Sequence, residues 1–293
     1  MPGDIIWVNK TSYGKSMFNC VNKFLGVTCK IGNLFTSIQS IHLSSGDVKY
    51  GDVIVFKSPQ SRGKNILVKR CIGLPGQKVE IRDNTVLIDG LVKREFYPLM
   101  FSYYFESKTD TLLRLVEKLA LNDSQSRKNR VDQFLAFHLD AKEVFQIRNL
   151  GLKIKRVSDF KKKQEVFPKS KQGRWSYINY GPIWIPKKGR RIVLSDSTLA
   201  IYGSTIKKFE SCTIQKRENG LFYIKGVKSS TYRFNHNYHF VLGDNRHNAL
   251  DSRYFGFVPD FLIEGRVSFV LFNWYNINRF LTKTQNNLDG YPK

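Results

Sequence analysis

Residues 65–90 read Asn-Ile-Leu-Val-Lys-Arg-Cys-Ile-Gly-Leu-Pro-Gly-Gln-Lys-Val-Glu-Ile-Arg-Asp-Asn-Thr-Val-Leu-Ile-Asp-Gly, and their punctuation decides the fold. The run 65–72 is rich in aliphatic residues and stops at Gly73-Leu74-Pro75-Gly76, a cluster that ends a strand and turns the chain. Lys78–Arg82 and Thr85–Ile88 then flank Asp83-Asn84, a pair that tolerates positive φ and so predicts a two-residue hairpin. Asp89-Gly90 predicts the next turn.

The same grammar extends outward. Gly51 opens a strand over 52–56, closed by Ser58-Pro59, and Gly3-Asp4-Ile5-Ile6-Trp7-Val8 reads as a short buried strand. Strands are expected again at Ile183–Ile185, Arg191–Leu194, Tyr238–Leu242 and Gly265–Phe272. Asn219-Gly220 marks a hairpin between Cys212–Lys216 and Leu221–Ile224. Short strands joined by tight turns predict a mainly β protein with an antiparallel, coiled sheet core. Composition changes after residue 91. Residues 109–148 favour helix, with Leu112, Leu115, Val116 and Leu119 at helical spacing as a local core stripe. Residues 153–172 are Lys-rich and read as an exposed connector. The expected organisation is a β core from 1–90 and 178–272, an inserted, partly helical α/β region over 91–177, and a tail over 273–293.

Composition narrows the function. The 293 residues are 41% hydrophobic, with 22 Phe and 14 Tyr, which excludes a disordered chain. The net charge of +24 suits an anionic membrane surface or nucleic acid, or else a Lys-rich background. No helix-turn-helix, zinc-finger or RNP-type motif is evident, so no nucleic acid is expected. Cys20, Cys29, Cys71 and Cys212 form no CxxC pair and no Cys/His metal spacing, so no zinc site is expected, and nothing else in the sequence calls for a metal or cofactor. Cys20 and Cys29 either bridge a local loop or stand as free thiols. No apolar run reaches the roughly 18 residues of a membrane span, so the chain as written is soluble or peripheral.

The chemistry concentrates in residues 243–258, Gly-Asp-Asn-Arg-His-Asn-Ala-Leu-Asp-Ser-Arg-Tyr-Phe-Gly-Phe-Val. A loop holding two Asp, two Arg, two Asn and a Ser between apolar strands is costly to order unless its members satisfy one another. Carboxylate–guanidinium pairs are the natural solution, Asp251 with Arg253 or with Arg70. Lys69 stands among Ile66, Leu67, Val68 and Ile72 on an expected core strand, where a lone lysine would ordinarily be a surface charge. Arg70 stays charged and can brace the 243–253 loop.

These segments resemble the bacterial type I signal peptidases, Ser/Lys-dyad proteases. The loop matches the family pattern at Gly243, Asp244, Asn245, Arg246, Asn248, Asp251, Ser252, Arg253, Gly256 and Val258. Phe257-Val258-Pro259 and Ile263-Glu264-Gly265-Arg266 continue the likeness. Gly51–Phe56 with Val68–Gly76 resembles the family's lysine box, and Gly3–Lys10 its first strand. Asn179–Gly189 looks like the re-entry into the core in members with a large insertion. The resemblance implies a signal-peptidase-type fold and cleavage of signal peptides from exported proteins. It implies Lys69 as general base, supported by Arg70, Gly243, Asp244, Asn245, Arg246, Asp251, Ser252 and Arg253. It also implies residence at the outer, periplasmic face of the inner membrane when an upstream anchor is present.

Three departures bear on activity. The family's Ser-Met-x-Pro-Thr-Leu box would place its nucleophilic serine six residues before Met1. Three explanations stand open: a start upstream of Met1, a non-catalytic relative, or a serine from another polypeptide. Ser16-Met17 keeps the dipeptide without the following Pro, which makes Ser16 a substitute nucleophile to be tested. Ala249 replaces the family's serine that helps orient the lysine amine, with Ser252 as its replacement. His247 replaces Asp, as a tolerated change or a proton switch.

Overall fold

The computed structural model describes residues 4–9, 47–60, 65–95, 98–105, 128–131, 134–157, 165–171, 174–273 and 282–283. Ser16, Cys20, Cys29 and the 112–119 stripe lie outside the described residues.

In chain order the first ten strands are β1 (Asp4–Asn9), β2 (Val53–Lys57), β3 (Ile66–Gly73), β4 (Lys78–Arg82), β5 (Thr85–Ile88), β6 (Leu91–Val92), β7 (Phe101–Phe105), β8 (Lys128–Val131), β9 (Phe134–Leu139) and β10 (Ile154–Arg156). They are followed by β11 (Tyr180–Trp184), β12 (Arg191–Val193), β13 (Ile214–Lys216), β14 (Phe222–Ile224), β15 (Val227–Lys228), β16 (Thr231–Arg233), β17 (Tyr238–Leu242), β18 (Val258–Pro259), β19 (Ile263–Asn273) and β20 (Thr282–Lys283). Among the described residues three α-helices join them: α1 (Ala141–Asn149), α2 (Asp196–Phe209) and α3 (Ser252–Phe255). All of the named strand pairings are antiparallel, and the protein is mainly β.

The main sheet runs β1-β19-β2-β3-β17-β18, with β20 added on β19. Its register aligns Asn9 with Arg266, Arg266 with Ile54, and Ile54 with Lys69. The first strand thus lies three strands from Lys69, about 14 Å at the usual spacing. Gly265 permits the close fit of β1, because a Cβ there would meet the Asn9 carbonyl oxygen at 2.7 Å. One face buries Ile54, Phe56, Val241, Val258 and Ile263 with Phe255 of α3. The sheet order β11-β4-β5-β6 packs on the larger core, where Ile72 and Phe240 meet Val79, Ile81, Tyr180 and Ile185.

The hairpins form where the sequence marks them. Asp83 and Asn84 take φ of 43° and 66°, and Asp89 and Gly90 take 53° and 84°. Positive φ at both central residues gives turns whose twist matches that of the strands they join. Strands at 53–57, 66–73 and 238–242 fall within a residue of expectation, and β19 begins two residues early.

Three segments differ from expectation. Within 109–148, where helix is expected, residues 128–131 and 134–139 pair as β8 and β9, and the helix proper is Ala141–Asn149. Phe137 and Leu139 are buried and suit a pleated surface, and Asp140 starts the helix by accepting from Glu143 N while Glu143 accepts from Asp140 N. Part of the expected connector, Ile154–Arg156, is strand β10 on β7. Helix α2 has no counterpart in the sequence reading. Ser195 and Thr198 form its reciprocal cap, and Tyr202, Thr205 and Ile206 are its buried face.

Candidate active site

Lys69 sits midway along β3, on the face shared with Ile54. Beyond Arg70, which pairs with Leu242, the next position of the neighbouring strand is Gly243. A Cβ built on Gly243 would lie 3.6 Å from Lys69 Cδ and 2.3 Å from Ala249 Cβ. The bare glycine therefore lets the lysine stem and the returning loop close over the same spot. Desolvation holds the Lys69 pKa below its ordinary value, and the carboxylates of Asp251 and Asp244 oppose that shift. Among the described residues the amine has no hydrogen-bonded carboxylate, so burial prevails.

The two carboxylates are kept for other partners. Arg70 donates from Nε and Nη2 to Asp244 at 2.9 and 2.7 Å, and from Nη1 to the Gly51 carbonyl at 2.9 Å. Arg253 forks onto Asp251 at 2.9 and 2.7 Å. Its remaining donors reach the carbonyls of Tyr177 at 2.8 Å and Arg246 at 2.7 Å. Asp251 also accepts from Gly243 N and Arg253 N, the second bond capping α3. Of the two pairings open from sequence, Asp251 takes Arg253, while Arg70 takes Asp244. Both keep the loop's charges paired without neutralising Lys69.

The other expected residues serve the loop's backbone. Ser252 Oγ accepts from Val241 N at 2.9 Å, tying α3 to β17. Asn245 bridges in parallel to Met100, and its side-chain oxygen is buried without a hydrogen-bond partner among the described residues. Arg246 donates to the Gly243 carbonyl and forks onto Glu95. Asp52 and Arg266, from two of the matched segments, form an ion pair at 3.5 Å.

His247 is held neutral. Its Nδ1 accepts from Ser102 N at 3.2 Å, so Nε2 carries the proton toward Asn84 Oδ1 at 3.0 Å. Burial first, then Arg253 and other nearby cations, lower its pKa to about 3. The rings of Phe101 and Tyr177 meet it edge-on.

Sequence reasoning missed the second wall of this site. Met100 N donates to the Asp244 carbonyl at 2.9 Å, and Arg246 N donates to the Met100 carbonyl at 2.8 Å. Phe167 N donates to the Arg253 carbonyl at 2.7 Å. Residues 95, 100, 102, 167 and 177, all within the span read as an insertion, thus hold the loop. Most of these contacts are made by backbone atoms, which leave no side-chain signature in sequence.

The sequence profile of the family described as signal peptidase, peptidase S26, matches residues 1–145 and 185–274, most of the chain. The chain belongs to the signal peptidase S26 family. Signal peptidase I of Buchnera aphidicola subsp. Baizongia pistaciae is 25% identical over 276 residues, covering 92% of this chain and 64% of that protein. Signal peptidase I of Buchnera aphidicola subsp. Schizaphis graminum is 24% identical over 220 residues, covering 74% and 52%. The chain thus spans less than two thirds of either relative. A signal peptidase I crystal structure from Enterococcus faecalis V583 aligns over 76% of this chain and 99% of that one, with a TM-score of 0.29 and 19% identity. Within this family member no described helix is long and apolar enough to cross a membrane. Among the described residues no group of three His, Cys, Asp or Glu could hold a metal.

Proposed function

We propose that the chain supplies the general base and the bracing loop of a Ser/Lys-dyad endopeptidase that removes signal peptides from exported proteins. The observation that carries this is the amine of Lys69, desolvated beside Gly243 while Asp244 and Asp251 are each claimed by an arginine. A neutral lysine can take the proton from a serine hydroxyl as its oxygen attacks the carbonyl that ends the signal peptide. The same nitrogen then protonates the departing amine, and later takes a proton from the water that releases the acyl group. Backbone N–H groups near the serine stabilise the oxyanion. The substrate adds in extended form to a sheet edge, with shallow pockets that admit small side chains.

Residues 1–90 and 178–272 form the catalytic core in this reading, and 91–177 backs its loop. In the family the nucleophile is the serine of a Ser-Met-x-Pro-Thr-Leu box placed just before the first strand, and this reading requires an equivalent serine. The positive charge supports work at an anionic membrane surface, on the outer face of the bacterial inner membrane.

The test is to fuse a Ser-Met-x-Pro-Thr-Leu leader before Met1 and to follow cleavage of a signal-peptide substrate across pH. Activity should rise with pH through the lowered Lys69 pKa and vanish in Lys69→Ala. Cleavage that survives Lys69→Ala refutes the assignment. An inactive fusion that still binds the substrate supports instead a non-catalytic relative, a reading that Ala249 favours because it brings no hydroxyl toward the lysine.

A further inference from the structure

We infer that the turns at Leu74–Gln77 and Lys187–Arg191 enclose a binding site for a phosphate group. A cavity of about 500 Å³ opens between them, with Trp184 in its wall and Lys187, Arg190 and Arg191 on its rim. That volume lies within the usual range for small-ligand sites and exceeds what one phosphate fills. The site is reached past the end of β3 and is separate from Lys69.

Two independent features point to an anion. The first is an unneutralised cluster: none of the three rim cations has an acidic partner among the described residues. The second is a like-charge pair. Arg191 stands directly opposite Arg233 on β12 and β16, an arrangement that destabilises a sheet unless a counter-charge sits between the side chains. The Arg233 guanidinium also reaches the turn, since a Cβ built on Gly189 would lie 3.5 Å from its Nη2.

The frame is rigid before any ligand arrives. Gly189 adopts φ of +80°, and Arg190 N donates to the Lys187 carbonyl at 3.0 Å. Gly189 N donates to the Phe234 carbonyl and Lys188 N to Asn237 Oδ1, which pins the turn to the strand behind it. On the opposite wall Gly76 N bonds the Ile185 carbonyl, Trp184 Nε1 bonds the Gly76 carbonyl, and Gln77 Oε1 accepts from Leu74 N. These bonds fix the backbone of both turns, while the exposed side chains of Lys187, Arg190 and Arg191 are ordered by the ligand they close on. Guanidinium forks match phosphate oxygens, and the indole wall suits the body that carries the phosphate. That body is either a soluble phosphate compound or a phospholipid headgroup.

The experiment compares wild type with Lys187→Gln/Arg190→Gln/Arg191→Gln and with Lys142→Gln/Lys153→Gln/Lys228→Gln, which removes equal charge from exposed lysines elsewhere. Two probes are titrated at fixed ionic strength: inorganic phosphate, and phosphatidylcholine vesicles with or without phosphatidylglycerol. The site variant should bind at least about tenfold more weakly, and the control within about twofold of wild type. Saturable binding of free phosphate identifies a soluble ligand. Binding confined to the phosphatidylglycerol vesicles identifies a headgroup. Equal weakening in both variants, or no saturable response to either probe, overturns the inference.

Discussion

Replacing Arg253 by methionine should come close to unfolding the protein, whereas the same change at Arg70 should not. Arg253 is 1% exposed and fills four acceptor positions, two on Asp251 and one each on the carbonyls of Tyr177 and Arg246. Methionine keeps the stem's volume and removes all four donors. Asp251, itself fully buried, would retain only the N–H groups of Gly243 and Arg253. Breaking a buried pair from one side costs about 3–5 kcal/mol. Two orphaned carbonyls add about 1 kcal/mol or more each. The total, roughly 5–7 kcal/mol, rivals the whole stability of an ordinary domain. Arg70 also forks onto a carboxylate, but the Asp244 side chain is 39% exposed and water can replace the lost donors. About 1–2 kcal/mol is expected there. Urea unfolding, read as the midpoint shift at constant slope, measures both. Adding Asp251→Asn to Arg253→Met should restore part of the loss, because the stranded charge is gone. The reasoning fails if Arg253→Met unfolds within 1 kcal/mol of wild type, or if Arg70→Met costs as much.

Two further outcomes follow from the same geometry. His239 and His247 are both buried and neutral, with pKa values lowered to about 4 and about 3, chiefly by desolvation. The unfolded chain therefore binds more protons between pH 6.5 and those values, and stability should fall as pH drops through that window by a few kcal/mol, at about 1.4 kcal/mol per pH unit for each group. Unfolding midpoints measured from pH 7 to pH 4 check this, and a variant with His247→Gln should show a shallower decline. Gly243→Ala should cost about 1–3 kcal/mol by overpacking, since the new methyl would lie 2.3 Å from Ala249 Cβ. Thermal melts should show recovery in Gly243→Ala/Ala249→Gly, where the obstructing carbon is removed.

The parts of the fold that were legible in sequence are those written in local chemistry. Asp83-Asn84 and Asp89-Gly90 declare their turns because few other residues accept those backbone angles, and β17 declares itself by Tyr238, Phe240, Val241 and Leu242 in a five-residue run that stops at Gly243. The interior of the 91–177 span was legible in part. Its strands β8 and β9 are short, and a helical stripe lay just before them, so periodicity could not place the change from one to the other. Helix α2 was hidden for a related reason: Thr198, Ile201, Gly203, Thr205 and Ile206 are poor helix formers, and tertiary packing of Tyr202 and Ile206 overrides that preference. At the site, the charged loop was readable because buried carboxylates and guanidinium groups need one another. The pairing was open, since Arg253 and Arg70 are equal partners for Asp251 as sequence. Only the sheet register, which sets Arg70 beside Leu242, separates them.

The parallel bridge between Met100 and Asn245 has a consequence for anyone who wishes to shorten the molecule. Peptide groups on both sides of that bridge, at Asp244 and Arg246, rely on one residue of the excursion for their partners. Cutting out residues 91–177 as a cassette would leave those amide and carbonyl groups facing a vacancy, together with an arginine robbed of Glu95. A minimal version must therefore keep the stretch from Glu95 to Ser102, with the Phe167 and Tyr177 backbone that holds Arg253, or graft equivalents in their place.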